Sequence, residues 1–276
     1  MNIIICNKHT FKYFEDYIYS IINIINAQLL LFEQDVDIHF IDENNYIFLQ
    51  NIDNKFLNYI GNNSNIYLLN TEQLSVEKLQ IQINSYPKNV IIIDYSHSNF
   101  KYYYTEYKQY FLPYQINYNE IFDYKKVNDV CLIGTIDNIP TNRQHIIDLL
   151  KEKNIHVDIV SGFGKERDIT LFKYKIILNI GYYPDNYRIF ENIRCDRCVY
   201  NNMIVISDIK EDIDDYYLKD HVIFTDYSNI PAKVIEVLSN YESYYNKLFS
   251  NFDLDHINFT LNKLAKPLIE KLSITE

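Results

Sequence analysis

Between Tyr174 and Asp208 the chain reads YKIILNIGYYPDNYRIFENIRCDRCVYNNMIVISD, and no other stretch limits its folding as strongly. Two apolar, β-branched runs, Ile176–Ile180 and Met203–Ile206, have the length and composition of buried strands. A helical pattern runs between them, from Ile189 to Tyr200. Strand, helix and strand in that order build a parallel sheet. Polar and charged residues gather where the first strand ends and the helix begins: Asn179, Arg188, Glu191 and Arg194. Open parallel sheets bind ligands beyond the carboxyl ends of their strands. The strongest candidate site of the chain is therefore here.

The remaining sequence repeats the theme. Strands are predicted at Asn2–Cys6, Asp37–Ile41, Tyr46–Gln50, Ile66–Asn70 and Val90–Asp94, with helices at Phe11–Ala27, Ser75–Asn84 and Asn99–Gln109. A short run, Tyr110–Ile116, carries Pro113 and suits an edge or a domain border. The pattern weakens and charge rises over Asn117–Asn128, which marks a hinge. A second α/β unit follows, with strands at Asp129–Ile133, His156–Val160 and His221–Thr225 flanking the organising stretch. Its helices are predicted from Thr141, a capping residue, to Lys151 and from Ile230 to Tyr245. A last helix covers Leu254–Leu272. The boundaries are 1–122 for a first Rossmann-like domain, 123–252 for a second and 253–276 for the final helix.

Composition narrows the partners. A chain of 276 residues holds two domains of about 125–150 residues each, and 47% hydrophobic residues can fill two cores. A net charge of -11 without a basic stripe argues against nucleic acid. Cys6, Cys131, Cys195 and Cys198 sit inside strand or helix patterns, so they predict reduced thiols in a cytoplasmic protein, not a disulfide framework. The Cys195–Cys198 pair lies within a helix and lacks the second ligand pair a zinc site needs. The start MNIIIC lacks the basic n-region and cleavage site expected of a signal peptide, and the sequence contains no apolar run of about 18 residues of the kind that spans a membrane. The 27 tyrosines accompany many Ile, Asn and Lys residues, the mix an AT-rich genome encodes, so individually they carry little information.

The strand Lys175–Asn179, the E-x-x-R of Glu191 and Arg194, Asn201-Asn202 and the V-I-S-D of Val205–Asp208 together resemble the nucleotide-sugar half of GT-B glycosyltransferases, most closely the CgeB-like group. The resemblance covers roughly Asn128 to Tyr244. It implies two Rossmann-like domains with a C-terminal helix returning to the first. It also implies a glycosyltransferase that takes a nucleotide-sugar as substrate, needs no cofactor or metal, and acts on a carbohydrate or glycoconjugate acceptor. Residue by residue, it implies that Glu191 accepts hydrogen bonds from the donor ribose, a task a carboxylate suits because it takes two hydroxyl donors at once. Arg188, Arg194 and Arg143 are implied near the diphosphate, whose oxygens match guanidinium forks. Gly134 and Thr135 would bring backbone N–H groups and a hydroxyl to the phosphates. Asn179 and Tyr182 would touch base or sugar. Many GT-B enzymes carry E-x7-E, and here Tyr183 stands in place of the first Glu.

Each of these residues also has an ordinary structural reading. Glu191 suits the first turn of a helix, where a carboxylate complements the dipole. Arg188 and Arg194 pair readily with Glu191 or Asp196, and Arg197 falls on an exposed face. In the first domain, Glu72 lies in N-T-E-Q-L after a strand, as a general base or as a helix-start cap. Asp94, with Ser96 and His97 behind it, and His9 after the first strand are further candidates for the base. Two other functions fit the same sequence: a catalytically silent nucleotide-sugar binder or scaffold, and a nucleotide-binding α/β domain of metabolic or regulatory type.

Overall fold

A computed structural model describes residues 1–33, 41, 43–53, 56, 65–134, 141–181, 188–211 and 213–273. The first sheet contains β1 (Asn2–Asn7), β2 (Ala27–Phe32), β3 (Asn45–Leu49), β4 (Ile66–Asn70), β5 (Ile91–Asp94) and β6 (Gln109–Phe111). Its six strands are parallel and lie in the order β2-β1-β3-β4-β5-β6. Every residue of β3, β4 and β5 is buried, as expected of strands covered on both faces. The helix α1 (Lys8–Ile21) begins at Asn7, whose side chain accepts the His9 N–H. The helix α2 (Glu77–Asn84) connects β4 to β5.

Some first-domain boundaries differ from the sequence pattern. The apolar run that predicts a helix to Ala27 is split: α1 stops at Ile21, Asn26 takes a left-handed φ of 47°, and the run resumes as β2. Asn tolerates that conformation better than its apolar neighbours, and periodicity alone does not separate a helix from a strand in a continuous apolar run. The helix expected over Asn99–Gln109 is a 3₁₀ turn, His97–Tyr102. There the Asn99 side chain binds Leu74 N–H, and the Tyr102–Tyr104 run has poor helix propensity. The strand expected at Asp37–Ile41 lies almost wholly outside the described residues.

The second sheet contains β7 (Asn128–Ile133), β8 (Val157–Val160), β9 (Tyr174–Asn179), β10 (Ile204–Asp208) and β11 (Val222–Thr225). These five strands are also parallel, in the order β11-β10-β9-β7-β8. The connecting helices are α3 (Thr141–Glu152), α4 (Gly164–Leu171), α5 (Asn192–Tyr200), α6 (Ile230–Ser239) and α7 (Tyr241–Phe249). The single helix expected over Ile230–Tyr245 is thus two, broken at Asn240, whose φ of -129° and ψ of 35° are not helical. In this sheet the strand order reverses between β7 and β9, the place where such sheets bind ligands.

Arg197 corrects the expectation of an exposed face. Its residue is 4% exposed, and its guanidinium donates to Asp168 of α4 at 2.9 and 2.8 Å and to Glu120 at 3.1 Å. The cation also lies 5.1 Å from the Phe172 ring. Seven of the nine α5 residues are buried, so the helix has almost no free face. Asn201 adds bonds to the Phe122 N–H and the Glu120 carbonyl, and Lys126 Nζ reaches the carbonyls of Phe172 and Asn201. The polar stretch after Gln115 is therefore built into the second unit.

By its contacts the chain divides into two units, Ile116–Leu254 and Met1–Gln115 together with the helix α8 (Leu254–Ser273) from Asp255. Ile257, Leu261, Ala265, Leu268 and Leu272 form the buried stripe of α8, at helical spacing. Asn45 of β3 fastens its end by donating to the Leu272 carbonyl at 3.1 Å. The C-terminal helix thus returns to the first domain. No described helix is long and apolar enough to cross a membrane.

Candidate functional site

At the carboxyl edge of the second sheet, Gly134 ends β7 and donates its N–H to the Val160 carbonyl at 3.2 Å. A Cβ there would lie 3.3 Å from Leu132 Cδ2, closer than carbon atoms normally pack. The buried Arg143 on α3 donates its Nε to the Ile180 carbonyl at 2.8 Å. That bond spans the switch point between β7 and β9. Beside it, Asn142 donates to the Gly181 carbonyl, while Tyr227 holds the Asn142 carbonyl at 2.6 Å. Asn179, the last residue of β9, donates to Ser207 Oγ of β10 at 3.1 Å. Its buried Oδ1 has no partner among the described residues, and neither have Asn192 Oδ1 and Asp208 Oδ1. Three buried acceptors along one edge are unusual, because each normally carries a hydrogen bond.

The start of α5 is fixed by packing. Phe190 is fully buried against Tyr216 at 4.6 Å and Phe224 at 5.3 Å between ring centres. It anchors Glu191, which precedes the helix; the sequence pattern starts the helix three residues earlier, at Ile189, and puts Glu191 inside its first turn. The Glu191 carboxylate pairs with Arg194 at 2.6 Å, both side chains being partly exposed. Arg188 is exposed and pairs with Glu211 at 3.2 Å. Lys210, buried, pairs with Asp208 at 2.7 Å. Arg143, Arg188, Glu191, Arg194, Asn179 and Gly134 therefore all belong to one unit and to the β7–β9–β10 edge or the α5 start. Thr135 and Tyr182 lie outside the described residues.

The candidates of the first domain fall in two places. Glu72 and Asp94 belong to one network at the ends of β4 and β5. Asp94 is fully buried and accepts from Asn70 at 2.7 Å, from Asn99 at 2.9 Å, from the Ser96 N–H at 2.8 Å and from the Tyr103 hydroxyl. Burial pushes its pKa up to about 7, against the opposing pull of those four donors. Glu72, half-buried, accepts from the Gln50 amide. His9 stands apart at the end of β1, exposed, with its ring 5.4 Å from Tyr13. His97 stacks on Phe111 at 3.9 Å.

Sequence reasoning named Ser207 and Asp208 only as part of a motif and passed over Lys210, Gln50, Asn99 and Tyr103. The alternation of V-I-S-D could have flagged Ser207, because strand-end polar residues after an apolar run face the binding edge. Gln50 and Tyr103 had no such signal, since their partners are 22 and 9 residues away in sequence.

No protein-family model matches the chain. Over 253 residues it is 33% identical to uncharacterized protein L140 of Acanthamoeba polyphaga mimivirus, a match covering 86% of this chain and 80% of L140. The chain belongs to the L140 family. Uncharacterized protein R358 of the same virus is 28% identical over 272 residues, covering 92% of each chain. Among solved structures, HepE of Anabaena in complex with UDP and glucose aligns with a TM-score of 0.65 at 9% identity, covering 99% of both chains. An α1,3-fucosyltransferase aligns at 0.55 and 11% identity, covering 98% of this chain and 90% of its own. A glycosyltransferase of Rickettsia africae aligns at 0.57 and 9% identity over 100% and 99% of the two chains. At such identities the likeness concerns fold alone: this L140-family chain has the GT-B glycosyltransferase fold.

Proposed function

We propose that the chain transfers a sugar from a nucleotide-sugar donor to a hydroxyl of a carbohydrate or glycoconjugate acceptor without a metal ion. The second unit is the donor side and the first the acceptor side. The observation that carries this reading is the edge at the β7–β9 switch point. There Arg143 donates to the Ile180 carbonyl and Glu191 pairs with Arg194, beside the switch point where open parallel sheets bind ligands, which supports the reading. HepE, of the same fold, is described in complex with UDP and glucose. Glu191 takes the ribose hydroxyls, and Arg143, Arg188 and Arg194 neutralise the diphosphate, a role that arginines fill without a metal. Gly134 and Thr135 approach the phosphates, and Asn179 and Tyr182 the base or sugar. Glu72, Asp94 and His9 are the candidates for the base that takes the acceptor proton.

A thermal-shift screen of UDP-, GDP-, ADP-, CMP- and dTDP-sugars tests the donor side. A ligand at 100 times its Kd stabilises the native state by about 2.7 kcal/mol. One nucleotide series should raise the midpoint of the wild type, and Glu191→Ala should abolish the shift. Stabilisation by none of them removes the reading. Loss of transfer in EDTA removes metal independence. Tyr183, in place of a Glu that many GT-B enzymes carry, favours a second reading, a donor binder without transfer. Slow hydrolysis of the bound donor separates the two.

A further inference from the structure

The two sheets have four outer strands, and three of them carry a feature that discourages further pairing. β6 is three residues long and is soon followed by Pro113. β8 has a charged residue, Asp158, among its four. β11 stops after four residues and runs into a 3₁₀ turn at Tyr227. Short strands, prolines and charges are the usual means by which an edge is kept from adding another strand. β2 has none of them: it is six residues long, and its sequence AQLLLF contains no charge and no proline. Every β2 residue keeps some access to solvent, whereas β3, β4 and β5 are wholly buried. Gln28 and Leu30 are exposed on one face, Leu30 at 38%, and Ala27, Leu29 and Leu31 are half-buried on the other. β1 pairs with one side of the strand, from Asn2 opposite Ala27 to Asn7 opposite Phe32. Among the described residues, no strand pairs with its other side.

Like charges set opposite one another across two strands repel, so a charged edge rejects a copy of itself. β2 does not, and its side chains are their own complement. When two strands pair antiparallel about a two-fold axis normal to the sheet, opposite residues share a face, so the axis passes through one residue and the alternation is kept. With the axis at Leu30, that residue meets Leu30 of the second copy, Leu29 meets Leu31, and Gln28 meets Phe32. All these pairs are uncharged, and Leu30, the exposed leucine of the strand, is covered at the centre. An axis at Leu31 would set Glu33, which is bound to Lys8 at 2.8 Å, opposite Leu29. An axis at Leu29 would set Phe32 opposite Asn26, whose left-handed φ of 47° lies outside the strand. We infer that β2 is the contact between two copies of this chain, which pair antiparallel about an axis at Leu30 and join their first sheets into one. Such a contact uses the same surface on both copies, so it closes at a dimer.

Sedimentation velocity of the full chain over a range of concentrations tests this contact. The wild type should sediment as a dimer that dissociates on dilution. Leu30→Lys and Leu30→Glu each set like charges against one another at the axis, and each should weaken association about tenfold or more. Because Leu30 is exposed in the single chain, both variants should keep the circular dichroism and denaturant midpoint of the dissociated wild type. An equimolar mixture of the two variants should associate again, since the axis then opposes a cation to an anion. Only a residue that faces its own copy gives that rescue. A wild type that stays monomeric at every concentration leaves the edge to another occupant and overturns the inference. It is also overturned by a Leu30→Lys variant that dimerises as the wild type does, by a mixture no more associated than its parts, or by wild-type assembly beyond two copies. None of these results bears on the donor reading, which concerns the second unit.

Discussion

Asp94 and Asp168 are both within 2% of complete burial, one in each unit, and their surroundings could hardly differ more. Asp94 is met by two amides, a phenol and a backbone N–H, all neutral. Asp168 is met by the guanidiniums of Arg167 and Arg197 at 2.8 to 3.0 Å. Neutral donors fix the geometry of the Asp94 carboxylate and pull its pKa down, but burial outweighs them and raises it to about 7. Paired arginines cancel the charge of Asp168 and convert it into a structural joint between α4, α5 and Glu120. The same contrast holds at the two sheet edges. The first is furnished with amides, hydroxyls and Glu72, groups that suit a neutral, hydroxyl-bearing ligand. The second carries Arg143, Arg188, Arg194 and Lys210, which suit an anion, and each already has a partner that an incoming phosphate would join or displace.

The sharpest way to break the comparison is Arg197→Met. It keeps an apolar stem under Phe172 and leaves Glu120 and Asp168 short of a cation in a buried place. Removing one member of such a pair costs roughly 3–5 kcal/mol. Denaturant unfolding, followed by a probe in the second unit, should show that loss. Tyr103→Phe is the matching change in the first unit. It deletes one of four neutral donors to Asp94 and should cost about 1–3 kcal/mol, the penalty for a buried polar group left short of a bond. Equal losses in the two variants would mean that charge adds nothing to the second hub.

A further effect concerns pH. Burial raises the folded pKa of Asp94 to about 7 from an ordinary 3.8, and it does the same to Asp196, whose partners are the phenols of Tyr216 and Tyr217. The folded state therefore binds these protons more tightly than the unfolded chain. The stability they contribute is complete below about pH 4, declines as pH rises through about 7, and levels off only above that. Asp94→Asn should flatten that decline in the first unit, measured as unfolding free energy at pH 5 and pH 7. A variant that keeps the wild-type slope would show that Asp94 does not titrate there.

Much of the fold was legible because buried parallel strands advertise themselves. Ile66–Asn70, Ile176–Ile180 and Met203–Ile206 are largely apolar runs of strand length, and the structure sets strands within a residue or two of each. The run from Ile21 to Phe32 was not legible, because its division rests on the conformation of one residue, Asn26. Of the candidate site, the edge of the second sheet could be named from local pattern, since Asn179, Glu191 and Arg194 lie within 16 positions of one another in a single strand–helix unit. The Asp94 network could not. It joins residues from the ends of three strands, and nothing in the local sequence of Gln50 or Tyr103 shows where their side chains go.

By itself the sequence determined the class of this protein: two α/β units, each with its polar residues at the carboxyl ends of apolar strands. Periodicity and composition are local quantities, and they suffice for that. Which arginine is a structural joint and which stands at the start of α5 was decided only by the tertiary structure. Arg194 and Arg197 are three residues apart on one helix and look alike in sequence. One pairs with Glu191 where the helix begins, and the other is enclosed by Asp168, Glu120 and Phe172. The partner of a charge is set by distant elements that the fold brings within 3 Å or so, and only then does its desolvation determine its role.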